Sequence, residues 1–167
     1  HQNSEADVDA FVRAGAARFA ELGATVEEVS IPMHAMGPAL WTPIALEGLT
    51  QTMMLGDGYG LSRQDLYSTS LMDTHHNWRN KADSLSESLK LTMMFGAHAD
   101  NTAGKRYYGK AVNLSYSLRA AYDAVLANYD LLLLPTLPVK ATLLPTPKDD
   151  WNFYIDRAFE MIANTAP

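Results

Sequence analysis

The residues with reactive side chains do not assemble into a catalytic set. His75 and His76 are adjacent, and on a helix their side chains would point about 100° apart, so they could not chelate one metal ion together. The sequence has no H-E-x-x-H pair, no G-x-S-x-G turn and no G-x-x-x-x-G-K-[ST] loop. It also has no cysteine, which excludes thiolate ligands and cysteine nucleophiles. We interpret the histidine pair as structural or solvated, and we expect no metal, no cofactor and no catalytic residue in this sequence.

The composition is typical of a globular domain. The 167 residues are 47% hydrophobic and 19% charged, with a formal net charge of -6. This acidic balance argues against a protein built mainly to bind nucleic acid or an anionic membrane. No apolar run of about 18 residues is present and no signal peptide is visible, so we expect no membrane partner and a cytoplasmic location. The chain begins with His1 rather than Met, which indicates that it was processed, excised from something longer, or observed only in part.

The first part of the chain predicts a helix followed by a strand. Asn3 and Ser4 precede apolar residues at helical spacing, which predicts a capped helix start. Gly23 can supply the left-handed stop. Residues 25–32 are rich in β-branched side chains and end at Pro32, a pattern typical of a short strand.

The middle of the chain is predicted to be mainly helical. Pro38 can open a helix, although Pro43 lies inside the same apolar pattern and the helix could instead begin there. Ser84 and Glu87 form a capping-box pattern ahead of another helix. Residues 101–111 contain two glycines and are interpreted as a connection.

The clearest helix is followed directly by a leucine run. An apolar stripe at three- and four-residue spacing runs from Ala111 to Tyr129 and predicts a long helix. The leucines at 131–134 are too few for a helix and lack alternation, which is typical of a strand buried on both faces. A helix leading into such a strand is half of an α/β unit, so the predicted fold class is α/β. A final helix is predicted over residues 151–163.

The loop after the leucine run is a candidate pocket rim. It contains four prolines between residues 135 and 147, so it cannot continue as a helix or a central strand. Because the carboxyl ends of strands border the ligand crevice in open α/β sheets, Thr136 and Leu137 are candidate substrate-binding residues. The alternative is an ordinary rigid surface loop.

Four stretches carry a resemblance to a known family. Their order and spacing resemble the amidase signature family, and especially the bacterial amidases that accompany nitrile hydratase. The P-T-x-P strand end and the closing N-T-x-P are moderately specific. The stretches are "VDAFVRAGAARFAELGATVEEVSIP" (8–32), "LSESLKLTMMFG" (85–96), "YGKAVNLSYSLRAAYDAVLANYDLLLLPTLP" (108–138) and "MIANTAP" (161–167).

The resemblance implies that the catalytic residues lie elsewhere. The family hydrolyses amides with a Ser-Ser-Lys triad, in which one serine attacks the carbonyl and backbone amides stabilise the oxyanion. No residue of this sequence matches the triad lysine or the G-G-S-S-G-G segment. The chain then corresponds to the second half of an enzyme that hydrolyses uncharged aliphatic or aromatic amides to carboxylic acid and ammonia. The segment alone is expected to be inactive, and a homodimer stays open as the assembly of the parent enzyme.

The resemblance also implies a division into three segments. Residues 1–32 would be a helix–strand unit of the main α/β domain. Residues 33–106 would be a small helical subdomain that covers the active site. Residues 107–167 would return to the main domain. The chain would thus be the helix-rich portion of the amidase signature fold, with a few strands that belong to a larger mixed sheet.

Two apolar residues fall at pocket positions of the nitrile-hydratase-linked enzymes. Trp41 in "ALWTPIA" matches a pocket tryptophan, and Ile162 in "MIANTAP" matches a pocket isoleucine. An indole wall would favour apolar or aromatic acyl groups. The alternative is that both are ordinary core residues, since large apolar side chains are usually buried for packing.

One departure from the family bears on the substrate. The amidotransferase branch carries paired arginines just before an "I-M-L-G" helix segment, and one of them binds the free carboxylate of glutamine. Leu91 and Thr92 stand at the corresponding place and cannot supply a bidentate guanidinium. Uncharged amides are therefore predicted in preference to glutamine.

A second hypothesis treats the chain as a non-catalytic helical interaction module or a pseudoenzyme remnant. Exposed Trp, Met and Tyr side chains would then form an interface with a partner. A reading frame that continues upstream through glycine-flanked serines would favour the enzyme, and a true start at His1 would favour the module.

Overall fold

The computed structural model describes residues 4–59, 67–141 and 152. This part of the chain is built from helices, and none of its residues is assigned to a strand. It contains two 3₁₀ segments, Pro32–Met36 and Trp78–Ser84, and a π-helical segment, Thr50–Leu55. Its five α-helices are α1 (Ala6–Glu21), α2 (Gly37–Leu49), α3 (Thr69–His75), α4 (Glu87–Ala103) and α5 (Arg106–Leu126).

The predicted first helix is confirmed, but its predicted cap is wrong. Glu5 is the N-cap residue of α1 and makes no side-chain capping bond. The hydroxyl of Ser4 instead donates to the carbonyl of Pro138 at 3.2 Å, so a tertiary contact uses the group that the local pattern assigned to the cap. Gly23 has a φ of +95°, which confirms the left-handed stop.

Helices α2, α4 and α5 form the main packed unit, and α2 contacts both of the others. Gly37, Leu40 and Glu47 are its buried residues. Pro38 lies in the first turn, where a missing N–H costs nothing, and Pro43 is accommodated inside the helix. The start at Pro38 is thus confirmed.

The crossing of α2 and α4 depends on Gly96. A Cβ atom on Gly96 would lie 2.1 Å from Oγ1 of Thr50 and 2.3 Å from the carbonyl oxygen of Leu46. Thr50 is 1% exposed, and its hydroxyl donates to Leu46 at 2.9 Å and contacts the Met93 carbonyl at 3.3 Å. Only glycine permits this close approach of the two backbones.

The connection between α4 and α5 is much shorter than predicted. Gly104 and Lys105 alone separate the helices, and Gly104 takes a φ of +61°. The sequence suggested a connection over 101–111 because it contains two glycines, but Gly109 lies inside α5. The capping prediction at Ser84 was also displaced, since Ser86 is the N-cap and accepts from the N–H of Leu89 at 3.3 Å.

The predicted strands are not formed among the described residues. Leu131 is 76% exposed and Leu133 is 47% exposed, so the described residues do not show a strand buried on both faces. Neither this run nor residues 25–31 are assigned to a strand. Burial on both faces requires neighbouring strands and covering layers. Among the described residues, α1 lies beside this run, where the Cβ position of Gly15 is 4.0 Å from Leu133.

The last predicted helix lies almost entirely beyond the described residues. The predicted helix over 151–163 lies outside the described residues, apart from Asn152, which is helical. No helix in the described part of the chain is long and apolar enough to cross a membrane.

Candidate substrate-facing site

Trp41 lies on α2, one turn after its buried start. Its neighbour Leu40 is 5% exposed, whereas Trp41 itself is half-buried. Trp41 lies on the same face of α2 as Gly37, which is four residues earlier. The indole is thus placed at the edge of the packed unit, partly accessible to solvent.

The other predicted pocket residues are placed apart from α2 or lie outside the described part of the chain. Thr136 and Leu137 are exposed in a bend that follows the leucine run. This bend is held at the start of α1, where the N–H of Glu5 donates to the Pro138 carbonyl at 2.9 Å. No hydrogen bond or ion pair within the described ranges links this bend to α2. Ile162 lies outside the described residues.

A cleft opens between the first 3₁₀ segment, the start of α2 and α5. Its volume is about 460 Å³. Four of its residues come from one face of α5, because their spacing of three and four places them one above the other. The lining residues are His34, Gly37, Ser115, Leu118, Arg119 and Tyr122.

A short hydrogen bond joins two of the residues that line this cleft. Nδ1 of His34 and Oη of Tyr122 lie 2.5 Å apart, and the two rings meet edge to face at 6.1 Å between centroids. Burial raises the pKa of the Tyr122 hydroxyl above its ordinary value of 10.0, so the phenol stays protonated at neutral pH. The contact joins the 3₁₀ segment to α5.

A buried carboxylate anchors the start of α5 on α2. Glu47 is 2% exposed, and its Oε2 accepts from the backbone N–H of Tyr108 at 3.1 Å. The first N–H groups of a helix have no partner inside the helix, and a negative charge there is stabilised by the helix dipole. No sequence motif indicated Glu47, and the available signal was a single charged residue in a mostly apolar helix.

The π-helical segment after α2 is held by side chains from the region of α3. Nε2 of His75 lies 2.7 Å from the carbonyl oxygen of Met53, and Arg79 donates to the carbonyl of Met54 at 2.7 Å. His76 bonds to Asp57 at 2.7 Å. Met53 and Met54 are among the last residues of the segment, where helix carbonyls lack an internal partner, and His75 and Arg79 supply one.

These contacts give the adjacent histidines structural partners. Within the described ranges, no group of three or more His, Asp and Glu side chains is arranged to hold a metal ion. The geometry offers a half-buried indole, a cleft with one guanidinium at its rim, and a rigid helical frame.

Comparison with known proteins identifies the family. The sequence model described as Amidase matches residues 1–167. The chain belongs to the amidase family. This confirms the resemblance to the amidase signature family that the sequence motifs indicated.

Three curated relatives illustrate the range of this family. The amidase-family chain is 39% identical over 165 residues to an enantioselective amidase of Rhodococcus rhodochrous, which is 98% of this chain and 32% of the relative. It is 43% identical over 129 residues to a protein of Rhodococcus erythropolis described as an uncharacterized protein in the nthA 5' region, which is 77% of this chain and 65% of the relative. It is 32% identical over 150 residues to one of the subunits of the glutamyl-tRNA(Gln) amidotransferase of Synechococcus sp. (strain CC9902), which is 87% of this chain and 30% of the relative.

The chain thus spans about a third of the Rhodococcus rhodochrous amidase and under two thirds of the Rhodococcus erythropolis protein.

Proposed function

We propose that this chain is the substrate-covering portion of an amidase. The parent enzyme hydrolyses uncharged aliphatic or aromatic amides to carboxylic acid and ammonia by serine nucleophile catalysis. The observation that carries this proposal is the match to the Amidase model over residues 1–167. The 39% identity to an enantioselective amidase supports an amide substrate.

The catalytic serines belong to a part of the parent enzyme that precedes this segment. No residue here matches the triad, and the segment spans 32% of the Rhodococcus rhodochrous amidase. We expect the helical unit of α2, α4 and α5 to act through the shape of the pocket it covers.

The first and third segments, residues 1–32 and 107–167, belong to one main domain in this proposal. Contacts between them support the grouping, because Lys140 pairs with Glu5 at 3.4 Å and with Asp7 at 2.5 Å. Residues 131–134 would join a larger mixed sheet as one of its strands. The exposure of Leu131 and Leu133 supports this, since large apolar surfaces of this kind mark contact with another layer.

The helical subdomain, residues 33–106, supplies the pocket wall. Trp41 is proposed to face the acyl group of the substrate, with Ile162, Thr136 and Leu137 as further substrate-binding residues. The half-buried position of Trp41 supports this role, because a pocket residue must keep one face available.

Glutamine is proposed to be a poor substrate. Leu91 and Thr92 lie on α4, and the hydroxyl of Thr92 donates to the carbonyl of Ser88 at 2.8 Å. This hydroxyl is therefore satisfied within its own helix, and neither side chain carries a positive charge for a carboxylate.

The decisive experiment expresses the complete reading frame that contains this sequence. Intact mass should be well above 18.4 kDa, and the purified parent should release ammonia from benzamide and propionamide but not from glutamine. The 167-residue segment alone should release none. A complete protein of only 167 residues without ammonia release would overturn the proposal in favour of an interaction module.

A further inference from the structure

The cleft beside His34 and Tyr122 has the features of a binding site for an amphipathic anion. It is a hollow of about 460 Å³ that is open to solvent, and Arg119 is exposed beside it. Leu118 and the Tyr122 ring supply apolar surface, and Arg119 supplies a positive charge. Apolar surface beside one positive charge is complementary to a ligand with an apolar body and one negative group.

The polar groups of the cleft differ in whether they have protein partners. Tyr122 is bonded to His34, and the Ser115 hydroxyl donates to the Val112 carbonyl at 2.7 Å. Arg119 has no hydrogen bond or ion pair among the described residues, although Asp123 lies one turn away on the same helix. Its guanidinium is therefore available to a ligand in the cleft.

We propose that this cleft binds a small carboxylate with an apolar or aromatic body. The carboxylate pairs with the guanidinium of Arg119, whose planar fork matches two carboxylate oxygens. The apolar body packs against Leu118 and the ring of Tyr122. The hydrogen bond between His34 and Tyr122 holds that ring in place, so the apolar wall is present before the ligand arrives. This inference stands apart from the proposed amide hydrolysis, because it concerns binding alone.

The test measures binding of 4-fluorobenzoate to the parent protein by calorimetry and fluorine NMR. Arg119→Gln should weaken binding by about tenfold, the scale expected for a charged hydrogen bond. The matched control is Arg106→Gln, which removes one positive charge from the same helix but outside the cleft. Arg106→Gln should change the affinity by less than about twofold. The neutral analogue 4-fluorobenzyl alcohol should bind both variants alike.

Three results would overturn the proposal. Wild-type protein without binding would show that the cleft does not accept a free carboxylate, as when another part of the parent pairs with Arg119. Equal weakening by both variants would indicate only a change in overall charge. Unchanged affinity in Arg119→Gln would place the ligand elsewhere, including in the pocket for the amide substrate.

A second variant protects the test from a folding defect. Arg119→Lys keeps the charge but loses the planar fork, so its affinity should lie between those of wild type and Arg119→Gln. Affinity of Arg119→Lys equal to that of wild type would contradict recognition by the guanidinium fork.

Discussion

The carboxylate of Glu47 on α2 accepts a hydrogen bond from the backbone N–H of Tyr108 on α5, across 61 residues of sequence. The contact places a buried carboxylate at the N-terminus of α5, which is the positive end of that helix dipole. A second contact lies next to it, because the Cβ position of Gly48 is 3.4 Å from the Tyr108 ring. Together the two contacts fix the position of α5 along α2.

Removing this carboxylate should loosen the start of α5. Glu47→Ala removes the acceptor of the part-buried Tyr108 N–H, so we expect a loss of about 2 kcal/mol in the free energy of local opening. Glu47→Gln keeps an acceptor oxygen and should lose only about 1 kcal/mol. Hydrogen–deuterium exchange of peptides that cover residues 106–112 measures both losses. Glu28→Ala, at an exposed ion pair with Arg13, is the control and should leave this exchange unchanged.

Filling the close crossing of α2 and α4 should destabilise the helical unit. Gly96→Ala places a methyl group 2.1 Å from Thr50 and 2.3 Å from the backbone of Leu46, and we expect a loss of about 3 kcal/mol. Thermal unfolding of the parent enzyme, followed by circular dichroism, measures it. Thr50→Ala in the same protein should not restore stability, because the Leu46 carbonyl still obstructs the methyl group.

Gly109 offers the matched control for that substitution. It lies inside α5, and its Cβ position has no neighbour within 4 Å. Gly109→Ala should therefore stabilise the helix by about 0.5–1 kcal/mol through backbone entropy. A loss of similar size at both glycines would contradict the steric explanation for Gly96.

Shortening the indole of Trp41 tests the proposed pocket wall. In the parent enzyme, Trp41→Ala should lower kcat/KM more for benzamide than for propionamide, because the aromatic acyl group loses ring packing and apolar contact. Trp41→Phe keeps an aromatic wall and should retain most of the preference. Equal losses on both substrates would instead assign Trp41 to the packing of α2.

The charge cluster that holds residues 138–140 on α1 predicts a pH dependence. The bond from Lys140 holds the pKa of Asp7 below its ordinary 3.8, and Asp7 in turn raises the pKa of Lys140 above its ordinary 10.5. The contribution of Asp7 to stability is thus present above about pH 4 and is lost as the pH falls through its lowered pKa. The contribution of Lys140 is present below about pH 10.5 and is lost as the pH rises through its raised pKa.

Carboxyl ¹³C titration by NMR checks this assignment directly. Asp7 should titrate below its ordinary range in the wild-type protein and return towards 3.8 in Lys140→Gln. Exchange of the Glu5 amide, which donates to Pro138, should accelerate in the same variant. An unchanged Asp7 titration in Lys140→Gln would assign the shift to the helix start alone.

The helices were largely predictable because their signals are local. Apolar spacing and single residues such as Gly23 and Pro38 act within one or two turns, and the structure places α1 and α2 where these signals indicate. Local signals failed where a distant group intervened. The hydroxyl of Ser4 bonds to Pro138 instead of capping α1. The turn before α5 is shorter than predicted, and Glu47 on α2 accepts from the N–H of Tyr108 in the first turn of α5.

The candidate site was only partly predictable. Trp41 was proposed because it matches a pocket position of the family. It lies half-buried on α2, and its contact with the substrate remains a proposal. The pair of His34 and Tyr122 was not anticipated, because 88 residues separate them and neither belongs to a spacing motif. The leucine run was predicted as a buried strand, yet Leu131 and Leu133 are exposed here, since a strand needs hydrogen-bonded neighbours and a covering layer.

The sequence by itself determined the family of this chain and the positions of most of its helices, because motif order and apolar periodicity are properties of the linear chain. Only the tertiary structure decided which helix faces meet. The contacts of Glu47 with Tyr108, of Thr50 with Gly96 and of His34 with Tyr122 join residues far apart along the chain. Such contacts depend on shape and on polar groups that are satisfied only once the helices have packed.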